Sequence, residues 1–369
     1  MAIYFVTLSI IISCIPFEVV LKNKMPRLSI VVSAVPFILM FFLCSFKDIN
    51  VGYDTINYYN WYNCLLNGID PGVAYASNEF LFKAIYKLFS ILKMPYRIVM
   101  ILFYGVTFSL LFISFKKLSK NVSFSALIFF TFGIFTLGLS ALRQLVAISI
   151  VIFALSLLIK NKKYLLFAVL VILAGLIHKS AFVFILCIPL SFLNVKFNLS
   201  NILVITILFI IFFIISSSVF QTIYYSLNLT EYIPTFRDGV GGYYFLFLLI
   251  FSVLALLNNN DLMTSIFKKI FKEKDEFKII DNTNNKFLLF YLLGVAFQAT
   301  SIINYAAPRL GTQFLCIACI FVPNIISQIK YKKWRIIIGI LAIICFIGFY
   351  LYDSILPNYL GIWPYKFSF

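Results

Sequence analysis

Long apolar runs alternate with short polar links along almost the whole chain. The runs fall near residues 2–20, 28–46, 97–115, 122–140, 144–159, 164–178, 180–194, 201–220, 243–257, 287–304, 309–329 and 334–352. Each is continuous rather than alternating, as in a membrane-spanning helix and unlike a barrel strand. The pattern predicts an all-α polytopic integral membrane protein with about 12 transmembrane helices, built as a single transmembrane domain over residues 1–369. The first run has no basic segment before it and no small-residue cleavage site after it, so it reads as a retained span.

The polar links sort by charge. Lys22/Lys24/Arg27, Lys116/Lys117/Lys120, Lys160/Lys162/Lys163, Lys196, the stretch 258–286 and Lys330/Lys332/Lys333/Arg335 fall at alternate links and hold 20 of the 30 Lys and Arg. Basic residues concentrate on the cytoplasmic side. Residues 258–286 are therefore expected to be a cytoplasmic loop. Residues 47–96 are expected to be an outer loop with an interfacial helix, and 221–242 a second outer loop. The helix over 79–93 is predicted to place Phe80, Leu81, Ala84, Ile85, Leu88, Phe89 and Leu92 on its lipid face, opposite Lys83, Lys87 and Lys93, with Asn78 as its cap. Residues 262–272 repeat that pattern. Neither an internal repeat nor an inverted half is visible, which argues against common transporter folds.

Composition agrees. A mean hydropathy of +1.02 with 63% hydrophobic and 12% charged residues leaves no polar surface for a soluble domain. The net charge of +17 is then a topology signal and not a nucleic-acid footprint. Membrane lipid is the expected partner. Cys316 and Cys319 form a C-x-x-C inside an apolar run, which reads as core and not as a redox or zinc motif.

Five basic residues break the charge rule. Lys47, Arg143, Lys179, Arg237 and Arg309 each fall in a short outer link. Arg143 and His178 sit between apolar runs with almost no loop. A charge at such a position is costly unless it has a partner or a role, although an arginine can also snorkel to the interface. His178, the single histidine, suits a general acid or base near neutral pH. The segment 47–63, K-D-I-N-V-G-Y-D-T-I-N-Y-Y-N-W-Y-N, is rich in the residue types that bind sugars. Its aromatic rings can stack on sugar faces, and Asp54, Asn57, Asn60 and Asn63 can pair with hydroxyls. An interfacial aromatic belt accounts for the rings equally well. Arginines beside sugar-type residues at a membrane face suit a lipid-linked pyrophosphate sugar, since the guanidinium fork matches phosphate. No D-x-D occurs in the outer links, so no metal site is expected and basic groups would neutralise the leaving group.

V-G-Y-D-T-I-N-Y (51–58), L-R-Q-L-V-A (142–147) and A-G-L-I-H-K-S-A (174–181) resemble, in order and spacing, the EpsG-like family of Wzy-type O-antigen and exopolysaccharide polymerases. The resemblance implies a glycosyltransferase of the bacterial inner membrane with a GT-C-like architecture. It would need no cofactor and would join oligosaccharide repeat units carried on undecaprenyl pyrophosphate, with a chain-length regulator protein as a further partner. The family pattern carries over to Gly52, Asp54, Tyr58, Arg143, Gln144 and His178. Asp54 or His178 is the expected base, and Arg143 is expected to act in catalysis on the leaving group. Arg309, Arg237, Gln144, Tyr58, Asn57 and Lys179 are expected to bind substrate, Arg237 and Arg309 from topology alone. Two other readings stay open: a lipid-linked oligosaccharide flippase, and a non-catalytic membrane subunit of a polysaccharide assembly complex.

Overall fold

The computed structural model describes residues 1–69, 79–195, 197–226, 240–258, 283–299, 307–329 and 331–368. Their regular structure is helical, with one isolated antiparallel bridge between Lys47 and Phe367. The chain forms two compact units, Met1–Ile185 with Ile337–Phe369, and Leu186–Ile336.

The first unit begins with a hairpin, α1 (Ala2–Lys24) and α2 (Pro26–Ser45), turned at Met25. Pro26 fits the first turn of α2, where no amide partner is needed. Glu18 is buried on α1 because α6 (Val122–Thr131) needs it: its carboxylate accepts the amides of Val122 (2.9 Å) and Ser123 (2.7 Å). A helix start has unpaired amides and partial positive charge, so a buried anion is stable there. Asn121 takes the next amide, that of Phe124.

The run 122–140, expected as one span, is broken. Gly133, at φ +79°, separates α6 from α7 (Ile134–Ser140), and the two helices are bent by 58°. Phe130 stacks on Phe135 across the break, while Phe132 packs on Phe346 and Phe349. Helix α8 (Leu142–Asn161) packs against α5 (Tyr96–Leu118) and α9 (Tyr164–Ile177) and is the most enclosed of this unit's unbroken span-length helices. Its Ala147, Ser149, Ala154 and Ser156 are fully buried, and small side chains let membrane helices approach closely.

The second unit holds α10 (Cys187–Ser191), α11 (Leu199–Ser226), α12 (Val240–Leu257), α13 (Thr283–Ala299), α14 (Ala307–Leu315) and α15 (Ala318–Gln328). Gly294 on α13 and Gly311 on α14 bring those backbones together: a Cβ on Gly311 would lie 3.0 Å from the Gly294 carbonyl. Side-chain amides of Asn258, Asn284, Asn285 and Gln328 bond to one another. Helix α16 (Lys332–Tyr350) leads back into the first unit.

Among the described residues, six helices are long and apolar enough to cross a bilayer, or seven if the bent α6–α7 pair counts as one span. The protein is a polytopic membrane protein. Two of the other runs expected to span are helical over short lengths only, 164–177 and 179–191. At 1.5 Å per residue, the 14 residues of α9 rise about 21 Å, against a hydrocarbon core of about 30 Å.

The expected outer loop 47–96 holds two helices, not one. Its sugar-type segment folds as α3 (Thr55–Leu66), with Thr55, Tyr58, Trp61 and Tyr62 buried at helical spacing. Helix α4 (Phe80–Ile91) forms where a helix was expected, and it also has a face buried against protein. Phe82, Tyr86 and Ser90 turn inward, because Phe82 and Tyr86 complete an aromatic cluster with Trp61, Tyr62 and Phe103. Phe80, Leu88, Ile91 and Leu92 remain exposed. Glu79 stands at the cap position assigned to Asn78, which lies outside the described residues. Of the expected loop 221–242, residues 221–226 belong to α11 and 240–242 to α12, and the rest lies outside the described residues. Residues 262–272 lie outside the described residues.

Candidate active site

Three helix ends meet in the first unit. Helix α7 ends at Ser140, Ala141 turns the chain, and Arg143 emerges from the first turn of α8. Helix α9 ends at Ile177, so His178 leaves it in an extended conformation. Glu79 precedes α4. The buried Glu79 carboxylate receives both of the others: Arg143 Nη1 donates to Oε2 at 2.5 Å, and His178 Nδ1 lies 2.7 Å from Oε1. The Lys179 amide adds a longer contact to Oε1 at 3.4 Å. Burial raises the Glu79 pKa, but the His178 hydrogen bond and the Arg143 charge outweigh it and hold the carboxyl below its ordinary value.

The same geometry sets the imidazole. A carboxylate at Nδ1 fixes the proton there, which leaves Nε2 as the acceptor of a neutral ring. Among the described residues Nε2 has no protein partner. Arg143 is held on two sides. Its Nε donates to the Tyr58 hydroxyl at 3.3 Å, and its guanidinium lies 5.5 Å from the Tyr58 ring centre and 5.8 Å from that of Phe82. Its side chain is 25% exposed against 7% for Glu79, so one edge of the guanidinium is open. Nη2 has no acceptor among the described residues.

The loop 47–55 braces this corner. Gly52, at φ +85°, passes so close to α7 that a Cβ would lie 2.3 Å from the Leu139 carbonyl. Only glycine fits such a backbone. Asp54 follows, exposed, with its amide donating to Ser140 Oγ at 3.2 Å. Its carboxylate is close enough for its charge to act on Arg143 and Tyr58.

Lys47, one of the basic residues expected in the outer links, is buried. Its ammonium donates to the Val51 carbonyl, the Thr55 hydroxyl and the Leu139 carbonyl, and burial pushes its pKa down to about 8. All three of its donors are spent on tying the loop to α7, so it offers none to a substrate.

The other expected residues divide as follows. Tyr58 joins the site through Arg143. Asn57 is exposed on α3 and Lys179 is exposed beside His178. Gln144 is buried, 2% exposed. Trp61 and Tyr62 are covered by Tyr86 and Phe82, so their faces are not open to stack on sugars. Arg309 is exposed on α14 in the second unit, and Arg237 lies outside the described residues. Among the described residues, no three His, Cys, Asp or Glu cluster as metal ligands.

Glu79 was missed by sequence reasoning. One signal pointed to it: an arginine at a span boundary requires a counter-charge, and few acids exist to supply one in a chain with 13 Asp and Glu.

No curated protein and no solved structure matches the chain. The EpsG family's sequence model does, over residues 30–367, a stretch that holds α3 through α16, the Gly52 loop and the Glu79–Arg143–His178 corner alike; the chain belongs to the EpsG family, a family of Wzy-like polymerases.

Proposed function

We propose that this protein joins oligosaccharide repeat units carried on undecaprenyl pyrophosphate, at the outer face of the bacterial inner membrane and without a metal ion. The observation that carries the reading is the convergence of Arg143 and His178, 35 positions apart, on one buried carboxylate. Family membership supplies the reaction class. His178 Nε2 takes the proton from the acceptor hydroxyl. That oxygen bonds to the anomeric carbon of the second unit, and the bond from this carbon to the pyrophosphate oxygen breaks. The open edge of Arg143 meets the charge that develops on the departing pyrophosphate, as fixed donors do in a site that excludes water. Asn57, Asp54 and Lys179 line the exposed approach and would contact sugar or phosphate. Arg309 and Arg237 are further candidates for the lipid-linked anion, and a chain-length regulator is a candidate partner.

Purified protein supplied with lipid-linked repeat units in excess chelator tests this directly. Chain growth is expected. Growth that requires added Mg²⁺ or Mn²⁺ overturns the metal-free account, and no growth under either condition overturns the polymerase reading. In a deletion strain, single repeat units should still reach the final acceptor, whereas a lost flippase would leave none outside.

Orientation has its own test. In a cysteine-free background, Asn60→Cys should react with an impermeant thiol reagent at the outer face of spheroplasts, and Asn282→Cys should not. The reverse pattern would place the Glu79 corner on the cytoplasmic side.

A further inference from the structure

We propose that Glu79 is a positioning residue that couples the two halves of the reaction: it fixes His178 with Nε2 as proton acceptor, and it serves as an internal counter-ion that the lipid diphosphate must outcompete for Arg143. The inference rests on the polymerase reading above and names a regulation of that site.

Charge is the basis. With a neutral imidazole, Glu79 and Arg143 cancel, and the trio carries no net charge. A diphosphate arriving at the open Nη2 edge therefore meets an arginine already half-satisfied by a carboxylate 2.5 Å away. Ground-state binding is weakened accordingly. The balance changes during reaction. When His178 accepts the hydroxyl proton it becomes a cation, paired to Glu79 at 2.7 Å. Glu79 then has a second cation, and the trio carries one positive charge at the moment the departing diphosphate gains negative charge. An interaction that strengthens only in the transition state raises turnover rather than ground-state affinity. The aromatic faces of Tyr58 and Phe82 keep the guanidinium in place while its partner changes.

This arrangement predicts a split that a merely structural acid would not give. Glu79→Gln keeps the volume and one acceptor oxygen but removes the charge. Its kcat should fall about 100-fold, the scale of losing a partner that orients a functional imidazole. Its affinity for the donor should rise: KM for the lipid-linked unit should drop several-fold, and undecaprenyl diphosphate alone should bind several-fold tighter to the detergent-solubilised variant. Glu79→Asp keeps the charge but is one methylene short of reaching both partners, and should fall between wild type and Glu79→Gln in kcat. Unchanged kcat in Glu79→Gln overturns the proposal. So does a drop in kcat accompanied by weaker binding of undecaprenyl diphosphate, which would make Glu79 part of the scaffold only. If the wild-type protein binds undecaprenyl diphosphate but extends no repeat units, the polymerase reading fails, and this proposal fails with it for a distinguishable reason.

Discussion

His178→Ala should reduce chain growth by about 10²–10⁴-fold, the usual contribution of a positioned general base. The variant should insert and accumulate normally. His178 leaves α9 in an extended segment, so its side chain caps no helix, and Glu79 keeps Arg143 and the Lys179 amide when the imidazole is gone. Asp54→Asn should stay within about tenfold of wild type, as expected when a nearby charge is lost but no proton acceptor is. Asp54 is exposed and is bonded to α7 through its backbone amide, which the substitution leaves intact. The measurement is the rate of chain extension from purified lipid-linked units. A severe Asp54→Asn defect with a mild His178→Ala defect would move the base to Asp54.

Arg143→Ala should cost about 10²–10³ in rate, or about 2.7–4 kcal/mol, as for removal of one donor aimed at developing negative charge. Arg143→Lys should be intermediate. An ammonium keeps the charge but cannot at once bond Tyr58, pair with Glu79 and present a third nitrogen outward. Breaking a buried ion pair commonly destabilises a fold because it strands a charge. Here the stranded carboxylate keeps His178 Nδ1 and the Lys179 amide as partners, so the loss should fall on activity. The readout is the glycan length distribution at matched protein level. A wild-type ladder from Arg143→Ala would mean that the arginine serves only its ion pair, and the anion site would have to be sought elsewhere.

Much of this was legible in the chain. Apolar runs announced helices, and each described run is helical. Arg143 and His178 stood out because a charge wedged between two spans demands a reason. The features that escaped detection share a cause: they depend on contacts distant in sequence. Glu79 lies 64 residues from Arg143 and 99 from His178, and no local pattern links them. Lys47 looked like an outward cation because topology records which loop a lysine occupies and not where its ammonium turns. Three acceptors, one of them 92 residues away on α7, draw it inward. The aromatic stretch 55–66 was different. Its burial at Thr55, Tyr58, Trp61 and Tyr62 follows the helical period and could have been read from spacing, had the abundance of Tyr and Asn not suggested an open sugar-binding surface.

The segment after α16 carries a consequence for how the protein is made. Gly52 and Tyr53 donate their amides to the carbonyls of Gly361 and Leu360, and Asp48 donates to Lys366. The Tyr4 hydroxyl reaches Ile362, and Asn358 holds the turn through Ile362 and Trp363. The loop that braces Arg143 is thus fastened by residues synthesised about 300 positions later. At about 5–20 residues per second, the early helices would wait roughly 15–60 s for that fastening. During this interval the nascent protein would hold its helices in the bilayer with the Gly52 loop unlatched. Catalytic competence would therefore arrive last in biogenesis, after α16 has inserted. A ribosome stalled anywhere before residue 360 would leave an inserted but inert chain in the membrane.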